Sequence, residues 1–164
     1  VLILGVDPGP VESAYCLIDR RYRVVAVGRV STGRIIRALS CAPPACVAME
    51  SIKAFGKRVG AETFDTCRAE GRILQRCADL KIPCFQYGRH KYGKGLLQDT
   101  VVNDTLLRRA LLERFGADTM AQLKLKDGKS DLRSAFAVAA YHIDVTAHER
   151  RTANVPRPEA LHPV

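Results

Sequence analysis

Leu2-Ile3-Leu4-Gly5-Val6-Asp7-Pro8-Gly9-Pro10 is the stretch that decides how the chain begins to fold. Its apolar run is too short for a helix and reads as a buried strand. Asp7-Pro8-Gly9-Pro10 stops it in a tight turn, which leaves a carboxylate at the C-terminal end of the strand. Two more strand-like runs follow, 13–18 and 23–30, joined by a polar connection of hairpin length over 19–22. Three antiparallel strands linked by short turns are therefore expected at the start.

Beyond them the pattern alternates. Residues 33–39 can form a short helix, and 46–49 read as a fourth strand ending at Glu50. Residues 61–80 predict a long helix, with Phe64, Cys67, Gly71, Leu74 and Ala78 as its inner stripe and Arg68, Arg72 and Arg76 as a basic ridge beside it. A fifth strand is expected over 82–87, then a basic, glycine-punctuated loop over 88–102. Residues 104–115 predict a helix capped by Asp104 and stopped at Gly116, and 116–130 read as a mixed segment. The last helix, 131–148, has an apolar face of Leu132, Ala135, Phe136, Ala139 and Ile143. The order implies an α/β fold: a five-stranded mixed sheet, three antiparallel strands then parallel ones, with helices on both faces. Residues 1–148 form the expected domain. Residues 149–164, with three prolines, form an expected flexible C-terminal tail.

Composition sets bounds. With 164 residues the chain makes one domain, too small for two full lobes around a cleft. Hydrophobic residues at 47% and charged residues at 26% are globular values and exclude wholesale disorder. No apolar run approaches the ~20 residues that span a bilayer. The opening run is too short for a signal peptide and lacks a basic flank, so a soluble intracellular domain without membrane partners is expected. Lys and Arg number 26 against 17 Asp and Glu, a net charge of +9 that suits a polyanionic partner such as nucleic acid. Six cysteines without any CxxC spacing favour neither a zinc site nor a disulfide framework and read as buried thiols in a reducing cytoplasm.

Three carboxylates stand where chemistry could use them. Asp7 ends the first strand, Glu50 ends the fourth and Asp131 opens the last helix. If the first and fourth strands are neighbours, Asp7 and Glu50 lie side by side, and the last helix packed on the sheet can bring Asp131 to them. Grouped carboxylates raise one another's pKa unless a cation sits between them, and hard oxygen donors select Mg²⁺ or Mn²⁺. Taken singly, each has a plainer reading: a turn residue, a solvated strand end and a helix cap.

The motifs around these acids resemble those of one family. Leu4-Gly5-Val6-Asp7-Pro8-Gly9 with Ser13-Ala14-Tyr15, Ala48-Met49-Glu50-Ser51, and Lys129-Ser130-Asp131 followed by Ala135-Phe136-Ala137-Val138-Ala139 resemble the three ordered acidic motifs of RuvC-type Holliday junction resolvases. Gly56, Val59-Gly60, Thr63-Phe64 and Thr66-Cys67, with the helix over 106–116, resemble phage-borne members. The resemblance runs over residues 2–145. It implies a ribonuclease H-like fold, a homodimer, and nicking of four-way DNA junctions to give 5′-phosphate and 3′-hydroxyl ends. It implies two Mg²⁺ or Mn²⁺ ions per active site, with Asp7, Glu50 and Asp131 as catalytic metal ligands. It also implies a cytoplasmic setting, in a bacterial host if the chain is phage-encoded. Many cellular members carry a fourth acid one helical turn after the third. The matching position here is Ser134, a neutral and weaker ligand.

Junction recognition depends mainly on phosphate contacts. Candidates flank the acids: Lys53, Lys57 and Arg58 after Glu50; Arg89, His90, Lys91 and Lys94 after the fifth strand; Lys124, Lys126 and Lys129 before Asp131. Phe55, in a glycine- and lysine-rich loop, is a candidate wedge at the branch point, with core packing as its plainer reading. The helix over 61–80 is the expected dimer element. His142 lies about three turns from Asp131, too far to share its ion, and reads as a packing or surface residue. Two other functions stay open: a ribonuclease H-like nuclease acting on RNA–DNA hybrid, and a branched-DNA binder without catalysis, which Ser134 motivates. An actin-like ATPase would need a second lobe for which the chain is too short.

Overall fold

The computed structural model of the chain describes residues 1–52, 59–97, 102–123 and 131–153. Its elements run β1 (Leu2–Asp7), β2 (Glu12–Asp19), β3 (Val24–Ser31), α1 (Thr32–Cys41), β4 (Cys46–Ser51), α2 (Ala61–Asp79), β5 (Cys84–Gly88), α3 (Arg89–Leu97), α4 (Asp104–Leu123) and α5 (Asp131–Ala153). The five strands form one sheet in the order β3-β2-β1-β4-β5. β1, β2 and β3 pair antiparallel, while β4 joins β1 and β5 joins β4 in parallel. This is the mixed sheet expected from the sequence, with the first and fourth strands adjacent.

Strand alternation divides the core. Leu4 and Val6 of β1 and Val47 and Met49 of β4 face α1 and α2, where Ile35, Leu39, Ile73 and Cys77 meet them. Ile3 of β1, Ala14, Cys16 and Ile18 of β2, and Cys46 and Ala48 of β4 face α5. α5 is buried nearly all round from Leu132 to Ala140, so it is a central element and not an amphipathic lid. It can lie so close because small residues floor it. A Cβ built on Gly5 would fall 1.9 Å from the Ala135 carbonyl oxygen and 2.9 Å from Ala139 Cβ.

Several local expectations need correction. The 88–102 segment is not all loop, since Arg89–Leu97 is helical (α3), with Tyr92, Gly93 and Leu96 buried. Three glycines (88, 93 and 95) argue against a helix by propensity. Packing overrides them, because Gly93 lets Val102 close in and Gly95 lets the Tyr141 ring close in. The cap of α4 is Asn103, whose Oδ1 accepts from Leu106 N at 2.8 Å, and Asp104 is the first helical residue. The stop expected at Gly116 is present, with φ +81° interrupting the helix there, but the segment after it is helical again as far as Leu123. α5 continues past 148 to Ala153.

The expected inner stripe of α2 is rotated. Thr66, Ala69, Glu70, Ile73 and Cys77 face the sheet, while Phe64 is 57% exposed and Cys67 and Gly71 are exposed. The thiols are free, but only Cys16, Cys46 and Cys77 are buried; Cys84 is half-buried and Cys41 and Cys67 are exposed. His142 is a packing residue, bonded to the Cys46 thiol at 3.3 Å and the Tyr87 hydroxyl at 2.9 Å. No helix among the described residues is long and apolar enough to cross a membrane.

Candidate active site

Strand phase and register assemble the site. Asp7 follows Ile3 and Gly5 on the α5 side of β1, and Glu50 follows Cys46 and Ala48 on the same side of β4. β1 and β4 are in parallel register from Ile3↔Cys46 to Val6↔Met49, so Asp7 and Glu50 come at the next step. Asp7 pairs with Ala14 of β2, and Ala14 pairs with Arg29 of β3. Arg29, Ala14, Asp7 and Glu50 therefore form one row across four strands. α5, drawn down on Gly5, sets Asp131 and Ser134 against that row.

The electrostatics show how close these groups are. Burial, and then the charges of Glu50 and Asp131, push the Asp7 carboxyl from 3.8 up to about 8, against the opposing pull of Arg89 and a hydrogen bond from the Ser134 hydroxyl. Burial also raises Glu50, opposed by the Tyr92 hydroxyl and Arg89. Tyr92 is fully buried and donates to Glu50 Oε2 at 2.7 Å. Arg89 donates to Ser134 Oγ at 2.9 Å, lies 3.7 Å from Glu50 Oε2 and also pairs with Asp104. On the other flank Arg29 lies 3.4 Å from Asp131. Its Nε is buried without a hydrogen-bond partner among the described residues.

Two arginines thus hold the outer carboxylates, and Asp7 between them is pushed toward its protonated form. The stability consequence has a definite sign. Between about pH 4 and 8 the folded chain holds a proton on Asp7 that the unfolded chain has released. Stability of the ion-free protein therefore falls as pH rises through that window. In EDTA the melting temperature should drop from pH 5 to pH 8, and Asp7→Asn should flatten that slope; an equal slope in both proteins would exclude Asp7 as its origin.

The donors suit a divalent cation in kind: carboxylate and hydroxyl oxygens, with a charge repulsion that a cation relieves. Among the described residues, however, no three His, Cys, Asp or Glu side chains converge closely enough to share one ion. The arginines supply a physical reason, since Arg89 holds Glu50 to one side and Arg29 holds Asp131 to the other.

Not every residue expected from the sequence reaches this place. Arg89 is in the site but engaged with its acids. His90, Lys91 and Lys94 are exposed on α3, and Lys91 Nζ lies 5.7 Å from the Tyr87 ring centroid. Lys53, Phe55, Lys57, Arg58, Lys124, Lys126 and Lys129 lie outside the described residues. On α2, Arg68 pairs with Asp65 at 2.7 Å and Arg76 donates to Ser40.

Sequence reasoning missed three members: Tyr92, Arg29 and Asp104. A tyrosine in a glycine-rich stretch gives no signal without the helix that buries it. Arg29 was findable, because it is in phase with Val27, which packs on the α5 side, and a charged residue on that phase needs a partner. Tyr92→Phe removes one buried hydrogen bond and should cost about 1 kcal/mol in thermal or urea unfolding; no loss would mean that Glu50 does not depend on the phenol.

The sheet order and the helix on its carboxylate face define a ribonuclease H-like α/β fold, and solved structures of that fold are similar to this chain. Thermus thermophilus RuvC superposes with a TM-score of 0.69 at 17% identity, covering 93% of this chain and 97% of that one. T. thermophilus RuvC in complex with a Holliday junction substrate gives 0.67 at 19%, covering 93% and 96%. Fowlpox virus resolvase, in complex with its substrate Holliday junction DNA, gives 0.60 at 13%, covering 87% and 99%. No family model matches the sequence, and no curated protein matches it.

Proposed function

We propose that the chain is a structure-selective endonuclease that nicks branched DNA, above all the four-way junction, to leave 5′-phosphate and 3′-hydroxyl ends. The observation that carries this reading is the meeting of Asp7, Glu50 and Asp131 at one end of the sheet. They meet in a basic chain whose fold matches two junction-resolving proteins over most of their length. Asp7, Glu50 and Asp131 are the proposed catalytic residues and ligands of Mg²⁺ or Mn²⁺, with Ser134 beside them. A bound cation would activate water and stabilise the leaving oxygen. The protein's own part is to hold these oxygens on three rigid elements and to keep Glu50 oriented through Tyr92. Lys91 and Lys94, with the basic residues outside the described segments, are proposed to meet phosphates.

The dimer expected from the resemblance has a surface that fits it. α2 turns Phe64, Cys67 and Gly71 outward, Val59 just before it is 43% exposed, and nothing among the described residues lies within 4 Å of a Cβ on Gly71. A second copy could approach closely along that line. Phe64→Glu should convert a dimer to monomer in sedimentation analysis while the chain keeps its folded circular-dichroism signal. A wild type that is monomeric at tens of micromolar would remove this surface from the proposal. A cytoplasmic setting, in a bacterial host if the chain is phage-encoded, goes with such a substrate.

The deciding experiment uses a synthetic four-way junction, a linear duplex of the same sequence and an RNA–DNA hybrid, each in Mg²⁺, Mn²⁺ or Ca²⁺. Paired nicks near the branch point in Mg²⁺ or Mn²⁺ establish the reading. Cleavage of the hybrid alone replaces it with an RNA-directed nuclease, and junction binding without any cut replaces it with a non-catalytic binder.

A further inference from the structure

A serine at the start of a helix ordinarily turns its hydroxyl back onto the first-turn N–H groups. At α1 it does not: Ser31 makes no side-chain cap hydrogen bond, and no acid stands in the first turn. The opening N–H groups of α1 have no carbonyl partner within the helix, and the positive end of the helix is uncompensated. Thr32 is the second unusual feature. It is only 6% exposed, yet its hydroxyl has no hydrogen-bond partner among the described residues. A hydroxyl buried in this way costs stability unless something bonds it.

Both features open into one place. Ser31, Thr32 and Gly33 line a cavity of about 310 Å³ that also touches the β1–β2 turn and α2. Gly33 leaves room over the first turn, since nothing among the described residues lies within 4 Å of a Cβ there. α2 supplies Asp65, Arg68 and Arg72 to the wall. Arg68 pairs with Asp65 at 2.7 Å and so neutralises the acid. Arg72 is exposed and has no partner among the described residues. What remains is a net positive hollow with free N–H and O–H donors and a free guanidinium, the donor set that suits a phosphate. It lies at the carboxylate end of the sheet. β3 runs parallel to β1 across β2 and ends at Ser31, two residues past Arg29, which shares a row with Asp7. By strand spacing and rise the backbones at Ser31 and Asp7 stand roughly 12 Å apart. That is about four nucleotides of rise along a DNA strand.

We infer that the start of α1, with Thr32 and Arg72, holds a backbone phosphate of the DNA strand that leaves the carboxylate site. The Thr32 hydroxyl and the first-turn N–H groups donate to the phosphate oxygens, and Arg72 supplies the charge. The inference rests on the reading of the chain as a nuclease of branched DNA. Such a contact fixes the register of the strand and reads no base.

The test measures affinity of the full chain for a labelled four-way junction by fluorescence anisotropy at several salt concentrations. Thr32→Val keeps the shape of the side chain and should weaken binding ~5-fold. Its melting temperature should hold or rise, because the free protein loses an unpaired buried hydroxyl. Arg72→Gln should weaken binding ~5-fold or more and lower the slope of log affinity against log salt by about one. Arg21→Gln removes the same charge from the β2–β3 hairpin, at the far end of the sheet, and should stay within ~2-fold of wild type. Wild-type affinity in both Thr32→Val and Arg72→Gln overturns the inference, as does an equal loss in Arg21→Gln. If Thr32→Val does not fold, Arg72→Gln, at an exposed position, decides against the Arg21→Gln control. Inorganic phosphate added to ¹⁵N-labelled protein separates the two sources of the anion. Shifts of the Gly33 and Arg34 amides, with junction affinity unchanged in the variants, mean a site for free phosphate and overturn the assignment to DNA. Nicking by the wild type, assayed beside the titrations, separates this inference from the nuclease. Weakened variants with no nicking by the wild type keep the contact and remove the nuclease, whereas nicking with wild-type affinity in both variants does the reverse. A wild type that binds no junction removes both.

Discussion

Asp7→Asn should abolish nicking, with the rate falling roughly a thousandfold or more, while affinity for a four-way junction stays within about threefold of wild type. Asparagine keeps the shape of the side chain and the hydrogen bond with Ser134. It cannot become the anion that a bound cation would call for between Glu50 and Asp131. A thousandfold is about 4 kcal/mol of transition-state stabilisation, the loss expected of the residue proposed to hold the metal. Binding should survive because phosphate contacts come from basic groups elsewhere. Single-turnover nicking and a native-gel titration at fixed salt measure the two quantities. Unchanged nicking takes Asp7 out of the chemistry, and equal loss of binding and nicking makes it structural.

Gly5→Ala should be the most damaging glycine-to-alanine change among the described residues. The new methyl would stand 1.9 Å from the Ala135 carbonyl, a backbone atom that cannot swing away. α5 must then lift off β1. Overpacking of this kind costs about 3 kcal/mol, which for a chain of this size lowers the melting temperature by roughly 6–12 °C. Nicking should fall further than stability does, because the same shift carries Asp131 and Ser134 away from Asp7. At a temperature where the variant is fully folded, nicking should still be down at least ~10-fold. A variant with the wild-type melting temperature would mean that α5 does not ride on Gly5.

The elements legible in the sequence were those with a strong local period. β1, β2, β3 and β4 and the long helices α2 and α5 fall within a few residues of their expected bounds because alternation, turn residues and helical spacing are written locally. The face of α2 was not, because its apolar residues spread around the helix. Thr66 and Glu70 turned out to be inside and Phe64 outside. Glu70 tolerates that position by accepting a 2.6 Å hydrogen bond from Gln86, a long-range partner that no local pattern shows. The helix α3 was missed for a related reason, since its glycines are packing devices whose partners, Val102 beyond the end of the helix and Tyr141 on α5, leave no mark in the local pattern.

The sequence by itself determined the strand order's antiparallel beginning, the parallel continuation, and the three carboxylates at element ends, because each follows from short-range patterns and connection lengths. Only the tertiary structure decided what surrounds those acids. Arg29 reaches Asp131 across a sheet row, Tyr92 reaches Glu50 from a helix 42 residues on, and Arg89 joins Ser134 to Asp104. Such contacts arise from register and helix placement. A charged residue carries no local mark of whether it meets solvent, a phosphate or another charge. In this chain the same arginine that reads from its neighbours as a DNA contact is, once folded, part of the site's own charge.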